Sequence, residues 1–341
     1  MKTIKLNFSG TYDGFEPYMS IVYSILEKHY DVQITDDPDY LICDMFGESP
    51  YAYCGKPQVR IMENGENYIP DFNLVDYAVS RYPITLYDRN FYLPGCAFPI
   101  DHWKELPRKA RNYSEEWLKE KVYFANFIAS HESEGGIRGD FFKKLCEYKR
   151  VESPGTYLNN MPDGQTVRWT NDSKTEFQKK CKFTLCFEST VHSGFVTEKI
   201  TDAFYADTIP VYFGNPHIKD IFNEKAFINC SDYDSFDAVI EKIKELDQDD
   251  SKYLEMMNQP ILMGPDYAQR LHEDLEAYIC RIFDQPLEKA YRRSRVYGPA
   301  RIDDYLAKAV HPEQITLGKA VKQFAIKIRR KMGKILNLLK K

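Results

Sequence analysis

A predicted strand, a polar loop and the first turn of a predicted helix bring together residue types that bind phosphate and sugar hydroxyls. Residues 183–187 have the pattern of a buried strand, and residues 189–194 have the pattern of a loop. A helix pattern begins at Thr197-Glu198-Lys199. The free N–H groups of a helix N-terminus attract phosphate, and Lys199 adds a full positive charge. Glu198 repels phosphate but accepts hydrogen bonds from ribose hydroxyls, which suits a sugar nucleotide. From these residues alone, a structural interpretation is favoured, in which threonine caps a helix with an acidic first turn.

Two series of strand and helix patterns surround this motif. The first has strand patterns at 4–8, 40–46, 59–62 and 77–79 and a helix pattern at 18–30. The second has strand patterns at 121–129, 183–187 and 209–213 and helix patterns at 137–149, 196–206, 236–246 and 266–283. Such alternation predicts an α/β protein with parallel sheets. The proline-rich segment 81–111 separates the two series, which predicts two Rossmann-like domains facing across a cleft.

The motif resembles the signature of the α1,3/α1,4-fucosyltransferases of glycosyltransferase family ten, in the form found in bacterial Lewis-antigen enzymes. The matching segments are Phe187-Glu188-Ser189, Phe195-Val196-Thr197-Glu198-Lys199 and Ile209-Pro210-Val211-Tyr212-Phe213-Gly214. Further similarity lies at Glu63-Asn64-Gly65-Glu66-Asn67, at residues 70–78 and at Ile137-Arg138. Ser189 and Phe195 depart from the family pattern, which commonly has Asn and often has Tyr at these positions.

The resemblance implies the GT-B fold and a role for each matching residue. We expect an acceptor-binding domain over 1–115, a GDP-fucose-binding domain over 116–290 and a basic amphipathic helical tail over 291–341. Glu66 is expected to be the general base, Arg138 and Lys199 the cations on the donor diphosphate, and Glu198 the partner of the ribose hydroxyls. The expected donor site comprises Arg138, Glu188, Ser189, Phe195, Val196, Thr197, Glu198 and Lys199. No metal ligand and no required cofactor are expected, although a divalent metal can stimulate such enzymes.

The implied activity is inverting transfer of L-fucose from GDP-β-L-fucose to a GlcNAc hydroxyl of a galactosyl-GlcNAc-type acceptor. The linkage is expected to be α1,3, with α1,4 left open, and the product a Lewis-type surface glycan or lipopolysaccharide. One alternative keeps the fold and uses another nucleotide sugar. A second alternative is a non-catalytic, membrane-bound glycan-binding protein. The D-x-D pairs Asp37/Asp39 and Asp232/Asp234 are interpreted as turns rather than manganese ligands.

Charge is distributed unevenly along the 341 residues. Residues 291–341 hold 14 basic and 3 acidic side chains, which leaves 32 basic and 48 acidic side chains in residues 1–290. This acidic body disfavours nucleic-acid binding. From Leu317 to Leu339, apolar residues recur at steps of three and four between basic residues, which predicts an amphipathic helix on an anionic membrane surface. With no membrane-spanning run and no signal peptide recognised, the expected location is cytoplasmic, peripheral on the inner face of the bacterial inner membrane.

Overall fold

The computed structural model describes residues 1–46, 53–97, 103, 105–108, 111–167, 172–294 and 298–310. The amphipathic stripe predicted from Leu317 onward lies outside the described residues. The earlier part of the predicted tail, at 291–294 and 298–310, lies within them.

Two parallel β-sheets form the body of the protein. The first contains β1 (Thr3–Ser9), β2 (Asp31–Ile34), β3 (Tyr40–Cys43), β4 (Val59–Glu63), β5 (Tyr77–Ser80) and β6 (Asn90–Tyr92). The second contains β7 (Tyr123–Asn126), β8 (Val151–Glu152), β9 (Cys181–Phe187), β10 (Ile209–Phe213) and β11 (Ile228–Asn229). The strand orders are β2-β1-β3-β4-β5-β6 and β11-β10-β9-β7-β8, with parallel pairing throughout. The predicted α/β class is confirmed.

Helices connect some of the parallel strands, which need crossover connections. The described helices are α1 (Ile21–His29), α2 (Glu115–Leu118), α3 (Ile137–Tyr148), α4 (Ser173–Gln178), α5 (Glu198–Tyr205), α6 (Phe236–Gln248), α7 (Asp250–Met257), α8 (Tyr267–Asp284), α9 (Leu287–Ala290) and α10 (Pro299–Val310). Helix α1 joins β1 to β2, and α3, α4 and α5 join the strands from β7 to β10. The sequence patterns locate β1, β3, β4 and β5 but miss β2 and β6. These two strands are the edges of the first sheet and have no fully buried residue. Because their side chains lack a buried face, their apolar pattern is weak.

Helix α8 packs on the first sheet, although it follows the second sheet in the chain. The Tyr278 hydroxyl donates hydrogen bonds to the carbonyl oxygens of Ala78, at 3.2 Å, and Arg89, at 2.9 Å. The Phe283 ring lies 4.5 Å from the Tyr40 ring, centroid to centroid. One hydrophobic core, the shared core, includes residues of both sheets, of α5 and of α8. Helix α8, which the sequence analysis assigns to the domain over 116–290, therefore packs on the sheet of the domain over 1–115.

Buried ion pairs fix the chain after α9 to the amino-terminal ends of β4 and β5. The fully buried Asp76 carboxylate accepts hydrogen bonds from Arg293 Nε at 3.0 Å and from the backbone N–H groups of Arg292 and Arg293. Arg60, also fully buried, donates from Nη1 to Asp303 Oδ1 at 2.8 Å. Buried charges are tolerated only when paired in this way. The described part of the predicted tail is therefore attached to the folded body.

Replacing Asp76 with Asn should destabilise the fold without changing its shape. After the substitution, Asp303 at 3.7 Å is the one described carboxylate that still pairs with the buried Arg293 guanidinium, which keeps its hydrogen bond to the Gln58 carbonyl at 2.7 Å. Breaking a buried pair costs about 3–5 kcal/mol in the free energy of unfolding. Urea unfolding measures this loss, and Glu116→Gln, which removes an exposed ion pair with Lys119, serves as the control. Equal stability of the two variants would contradict this role of Asp76.

Candidate active site

The chain at and after the carboxyl end of β6 is in direct contact with the loop that follows the carboxyl end of β9. The Cys96 N–H donates to the Val196 carbonyl at 3.1 Å, and the Tyr92 hydroxyl donates to the Gly194 carbonyl at 2.9 Å. Gly194 has φ of +87°, and a Cβ at this position would lie 2.3 Å from Pro83 Cδ, so only glycine fits. Ligands of open α/β sheets bind beyond the carboxyl ends of the strands. The candidate site is therefore the cleft at this edge.

The Glu188 carboxylate is buried between the end of β9 and the start of α5. Its side chain has no exposed surface. Oε1 accepts the Thr197 N–H at 2.8 Å, while Oε2 accepts from Thr197 Oγ1 at 2.8 Å and from Lys199 Nζ at 3.0 Å. These partners compensate the loss of hydration of the carboxylate. Glu188, expected as a donor-binding residue, thus holds Thr197 and Lys199 in place.

Lys199 and Glu198 present opposite charges on the first turn of α5. Burial alone would lower the pKa of Lys199, but the carboxylates of Glu188 and Glu198 outweigh it and raise the pKa above its ordinary value. Desolvation would raise the pKa of Glu198, but the charges of Lys199 and Lys174 lower it. Both groups are therefore ionised at neutral pH. The Glu198 side chain is 49% exposed, so its carboxylate is accessible to a ligand.

Arg138 reaches the same end of β9 from the start of α3. Its Nε and Nη2 atoms donate to the Phe187 carbonyl at 3.0 and 2.7 Å, and Nη1 donates to the His131 carbonyl at 3.1 Å. Gly135 and Gly136 precede the helix, both with φ of +75°. Since Phe187 is the neighbour of Glu188, Arg138 and Lys199 are both anchored at one strand end. The structure thus brings together the two cations that the sequence predicts.

The remaining predicted donor residues shape the loop between β9 and α5. The Ser189 carbonyl accepts the Glu134 N–H at 3.0 Å, which joins this loop to the segment before α3. Phe195 and Val196 are buried, and Val196 belongs to the shared core. The side chains of Phe195 and Val196 therefore anchor the loop by packing in the protein interior.

A cavity of about 220 Å³ lies at the carboxyl end of the first sheet. Its lining includes Tyr12, Phe15, Phe46, Asp44, Glu63, Glu66 and Arg81. Glu66 is exposed, and within the described part of the chain no hydrogen bond is formed by its carboxylate. Glu63 differs, because its carboxylate accepts the Ser20 hydroxyl at 2.6 Å and the Ile21 N–H at 2.8 Å at the start of α1. Burial raises the pKa of Glu63. Of Glu63 and Glu66, it is therefore Glu66 whose carboxylate is accessible to a ligand.

Sequence reasoning missed two charged residues of this cavity. Asp44 follows β3, and burial raises its pKa, although hydrogen bonds from Asn64 and from the Met45 N–H oppose this effect. Arg81 is 8% exposed, donates from Nη1 to the Leu93 carbonyl at 2.8 Å, and has a buried Nε with no hydrogen-bond partner among the described residues. The position of Asp44 at the carboxyl end of a buried strand was a usable signal. Arg81 offered none, since it lies in the segment predicted to be irregular.

The ranges described above contain no candidate metal site. Within them, no group of three or more His, Cys, Asp or Glu side chains could hold a metal ion. Asp232, from one D-x-D pair, contacts Lys219 Nζ at 2.8 Å and Asn229 Nδ2 at 3.0 Å.

None of the helices in the described ranges combines the length and the apolar character needed to cross a bilayer.

Family models match both halves of the chain. The model of the glycosyltransferase family 10 (fucosyltransferase) C-terminal region matches residues 118–296, and that of the α-(1,3)-fucosyltransferase FucT N-terminal domain matches residues 6–98. The chain belongs to glycosyltransferase family 10. The resemblance recognised in the segment from Phe187 to Gly214 is therefore confirmed.

Relatives of known name and structure agree with this membership of glycosyltransferase family 10. The α-(1,3)-fucosyltransferase FucT of Helicobacter pylori is 30% identical over 290 residues, which cover 75% of this chain and 59% of the relative. This chain thus spans about three fifths of the length of that protein. A crystal structure of an α1,3-fucosyltransferase matches with a TM-score of 0.72 at 25% identity, covering 87% of this chain and 93% of the other. A crystal structure titled as an α1,3-fucosyltransferase with GDP-fucose matches with a TM-score of 0.64 at 26% identity, over 82% and 91% of the two chains.

The contact expected between Lys199 and the donor diphosphate predicts that Lys199→Ala weakens binding of GDP-fucose at least tenfold. A hydrogen bond to a charged group contributes about 1.5–3 kcal/mol, and a tenfold change in affinity corresponds to about 1.4 kcal/mol. Isothermal titration calorimetry measures the loss. The same change should lower the melting temperature, because the buried Glu188 carboxylate loses its cation.

A double variant separates stability from binding. Lys199→Met with Glu188→Gln removes both buried charges, so the melting temperature should recover while GDP-fucose binding stays weak. Recovery of binding in the double variant would contradict a direct contact between Lys199 and the donor.

Proposed function

We propose that the protein is an inverting fucosyltransferase that uses GDP-β-L-fucose and a galactosyl-GlcNAc-type acceptor. The observation that carries this proposal is the placement of Arg138 and Lys199 at one end of β9, with the exposed Glu66 carboxylate at a cavity of the other sheet. The two cations can stabilise a diphosphate leaving group, and the Glu66 carboxylate can accept a proton from a hydroxyl nucleophile. The names of the relatives, and the GDP-fucose in one related structure, support fucose as the transferred sugar.

The reaction follows from these charges. The acceptor hydroxyl gives its proton to the Glu66 carboxylate while its oxygen attacks C1 of fucose. The bond from C1 to the diphosphate oxygen breaks, and GDP leaves with the electron pair. Attack opposite the leaving group converts the β-linked donor to an α-fucoside. Lys199 and Arg138 stabilise the negative charge that develops on GDP.

The proposal also assigns a contact to the ribose of the donor. The exposed Glu198 carboxylate accepts hydrogen bonds from the ribose hydroxyls. Because two fixed cations supply positive charge to the diphosphate, we assign no required metal cofactor to the reaction. We propose the α1,3 linkage and leave α1,4 as the other possible product. Nucleotide-sugar competition for the site tests the choice of GDP-fucose against other donors.

Glu66→Gln should retain GDP-fucose binding and lose transfer. The amide has the size of the carboxylate but cannot take the proton, and loss of a general base typically lowers the rate by about 10²–10⁴. The measurement is kcat on a soluble galactosyl-GlcNAc acceptor, with donor affinity measured separately. Turnover near that of the parent would place the base elsewhere.

Glu63→Gln is the matched control for this experiment. Its carboxylate is engaged at the start of α1, so the change should lower the melting temperature and leave kcat much closer to the parental value below the transition. The pair of variants therefore distinguishes loss of a base from loss of stability in the same segment.

We also propose that the basic tail holds the enzyme on the inner face of the bacterial inner membrane, where it modifies a Lewis-type glycan or lipopolysaccharide. The support is the apolar pattern from Leu317 to Leu339 together with the nine basic residues between Lys319 and Lys341. Each basic residue near an anionic surface contributes about 1 kcal/mol. Salt screens this attraction, so binding should weaken as ionic strength rises.

Deleting residues 318–341 should release the protein from anionic vesicles and leave transfer to a soluble acceptor unchanged. Vesicle co-sedimentation at low and high salt measures the first effect. A deletion from residue 298 is the contrasting variant, because it also removes Asp303, the partner of the buried Arg60, and should destabilise the fold. If the full-length protein ignores anionic vesicles at low salt, the membrane proposal fails.

A further inference from the structure

A short chain of hydrogen bonds runs from the end of β3 to the backbone of Glu66. The Asn64 Nδ2 atom donates to Asp44 Oδ1 at 2.5 Å. On the other side of the same amide, Asn64 Oδ1 accepts the Glu66 N–H at 2.9 Å. Asp44 Oδ1 also accepts the Met45 N–H at 2.7 Å. The side chain that bridges the two strand ends, Asn64, is 2% exposed.

The Asp44 oxygen determines which way the Asn64 amide faces. An ionised carboxylate only accepts hydrogen bonds, so the NH₂ group of Asn64 must point to Asp44. The amide oxygen is then left on the side of the Glu66 N–H, where it closes a turn of the kind that Asn forms with the residue two positions later. With the amide reversed, two acceptors would face each other and two donors would face each other. Asp44 therefore selects the amide orientation that holds the Glu66 backbone.

We infer that Asp44 and Asn64 are positioning residues for Glu66, because together they fix the loop from which its carboxylate reaches the cavity. The inference rests on the proposed role of Glu66 as general base. Glu66 needs such support, since it is exposed and its own carboxylate has no hydrogen bond within the described chain. A displacement of about 1 Å at a reacting group can reduce the rate about 10²-fold. Asp44 acts through Asn64 and does not itself take the proton.

The first test compares three substitutions. Asp44→Leu removes the acceptor oxygen, and Asn64→Ala removes the amide, so each should lower kcat by about 10–100-fold. Asp44→Asn should recover most of kcat, because its amide oxygen, held by the Met45 N–H, can still accept from Asn64. A residue that acts through its negative charge would show the opposite pattern, with Asn no better than Leu.

Further measurements keep positioning apart from folding and binding. The melting temperature of each variant should stay above the assay temperature, and GDP-fucose affinity and the acceptor KM should be close to parental. Should Asp44→Leu fail to fold, Asn64→Ala carries the test. Asp71→Asn is the matched control, since Asp71 also accepts hydrogen bonds from a nearby Asn, Asn73, but has no link to Glu66. A rise in acceptor KM with unchanged kcat would overturn the inference in favour of an acceptor-binding role.

A double-mutant cycle tests whether Asp44 acts through Glu66. In the Glu66→Gln background, Asp44→Leu should cause no further loss of rate, because the group that it positions is already gone. An additional loss of the same size as in the parent would overturn the inference. A large loss in Glu66→Gln with parental turnover in Asp44→Leu would contradict the inference alone. Near-parental turnover in Glu66→Gln would contradict both the inference and the proposed base.

Discussion

The buried carboxylate of Glu188 is the constraint on which the second sheet's side of the site depends. A charge without exposed surface must be matched, and Thr197 and Lys199 match it at the first turn of α5. This arrangement fixes the start of the helix, the position of the lysine and the path of the intervening loop together. That loop also contacts the first sheet through Gly194 and Val196. One buried charge thus fixes a loop that contacts both sheets.

The first sheet has buried ion pairs at the amino ends of its strands and a cavity at the carboxyl ends. At the amino ends of its strands, Asp76 and Arg60 are paired with Arg293 and Asp303 and attach the described part of the tail. At the carboxyl ends, where the cavity lies, the Glu63 carboxylate is paired at the start of α1, whereas the exposed Glu66 carboxylate has no hydrogen bond within the described residues. Glu66 therefore remains accessible at the cavity.

The sequence is sufficient to predict the parts of this fold whose signal is local. Strands buried on both faces, such as β3 with its four buried residues, have continuous apolar runs. Glu188, Thr197 and Lys199 lie within twelve consecutive positions of the motif, and the structure places them in contact. The packing of α8 on the first sheet could not be predicted, because its apolar stripe does not specify which sheet it contacts.

The cavity side of the site was less predictable, for a similar reason. Glu66 and Asn64 are two residues apart, but Asp44 joins them only through the parallel pairing of β3 with β4. Arg81 reaches the cavity from the segment after β5, whose prolines suggest irregular structure. Contacts between neighbouring strands depend on register and on loop paths, neither of which is encoded in a single stretch of sequence. These contacts are what the structure adds to the family motif.

The most direct test of the account is a crystal structure of the full-length protein with GDP. Lys199 Nζ and the Arg138 guanidinium should each lie within hydrogen-bonding distance of the diphosphate, beyond the end of β9. The ribose hydroxyls should face the Glu198 carboxylate, and the Glu66 carboxylate should line the open space next to the diphosphate. A diphosphate bound away from β9, with Lys199 still paired only to Glu188, would contradict the account.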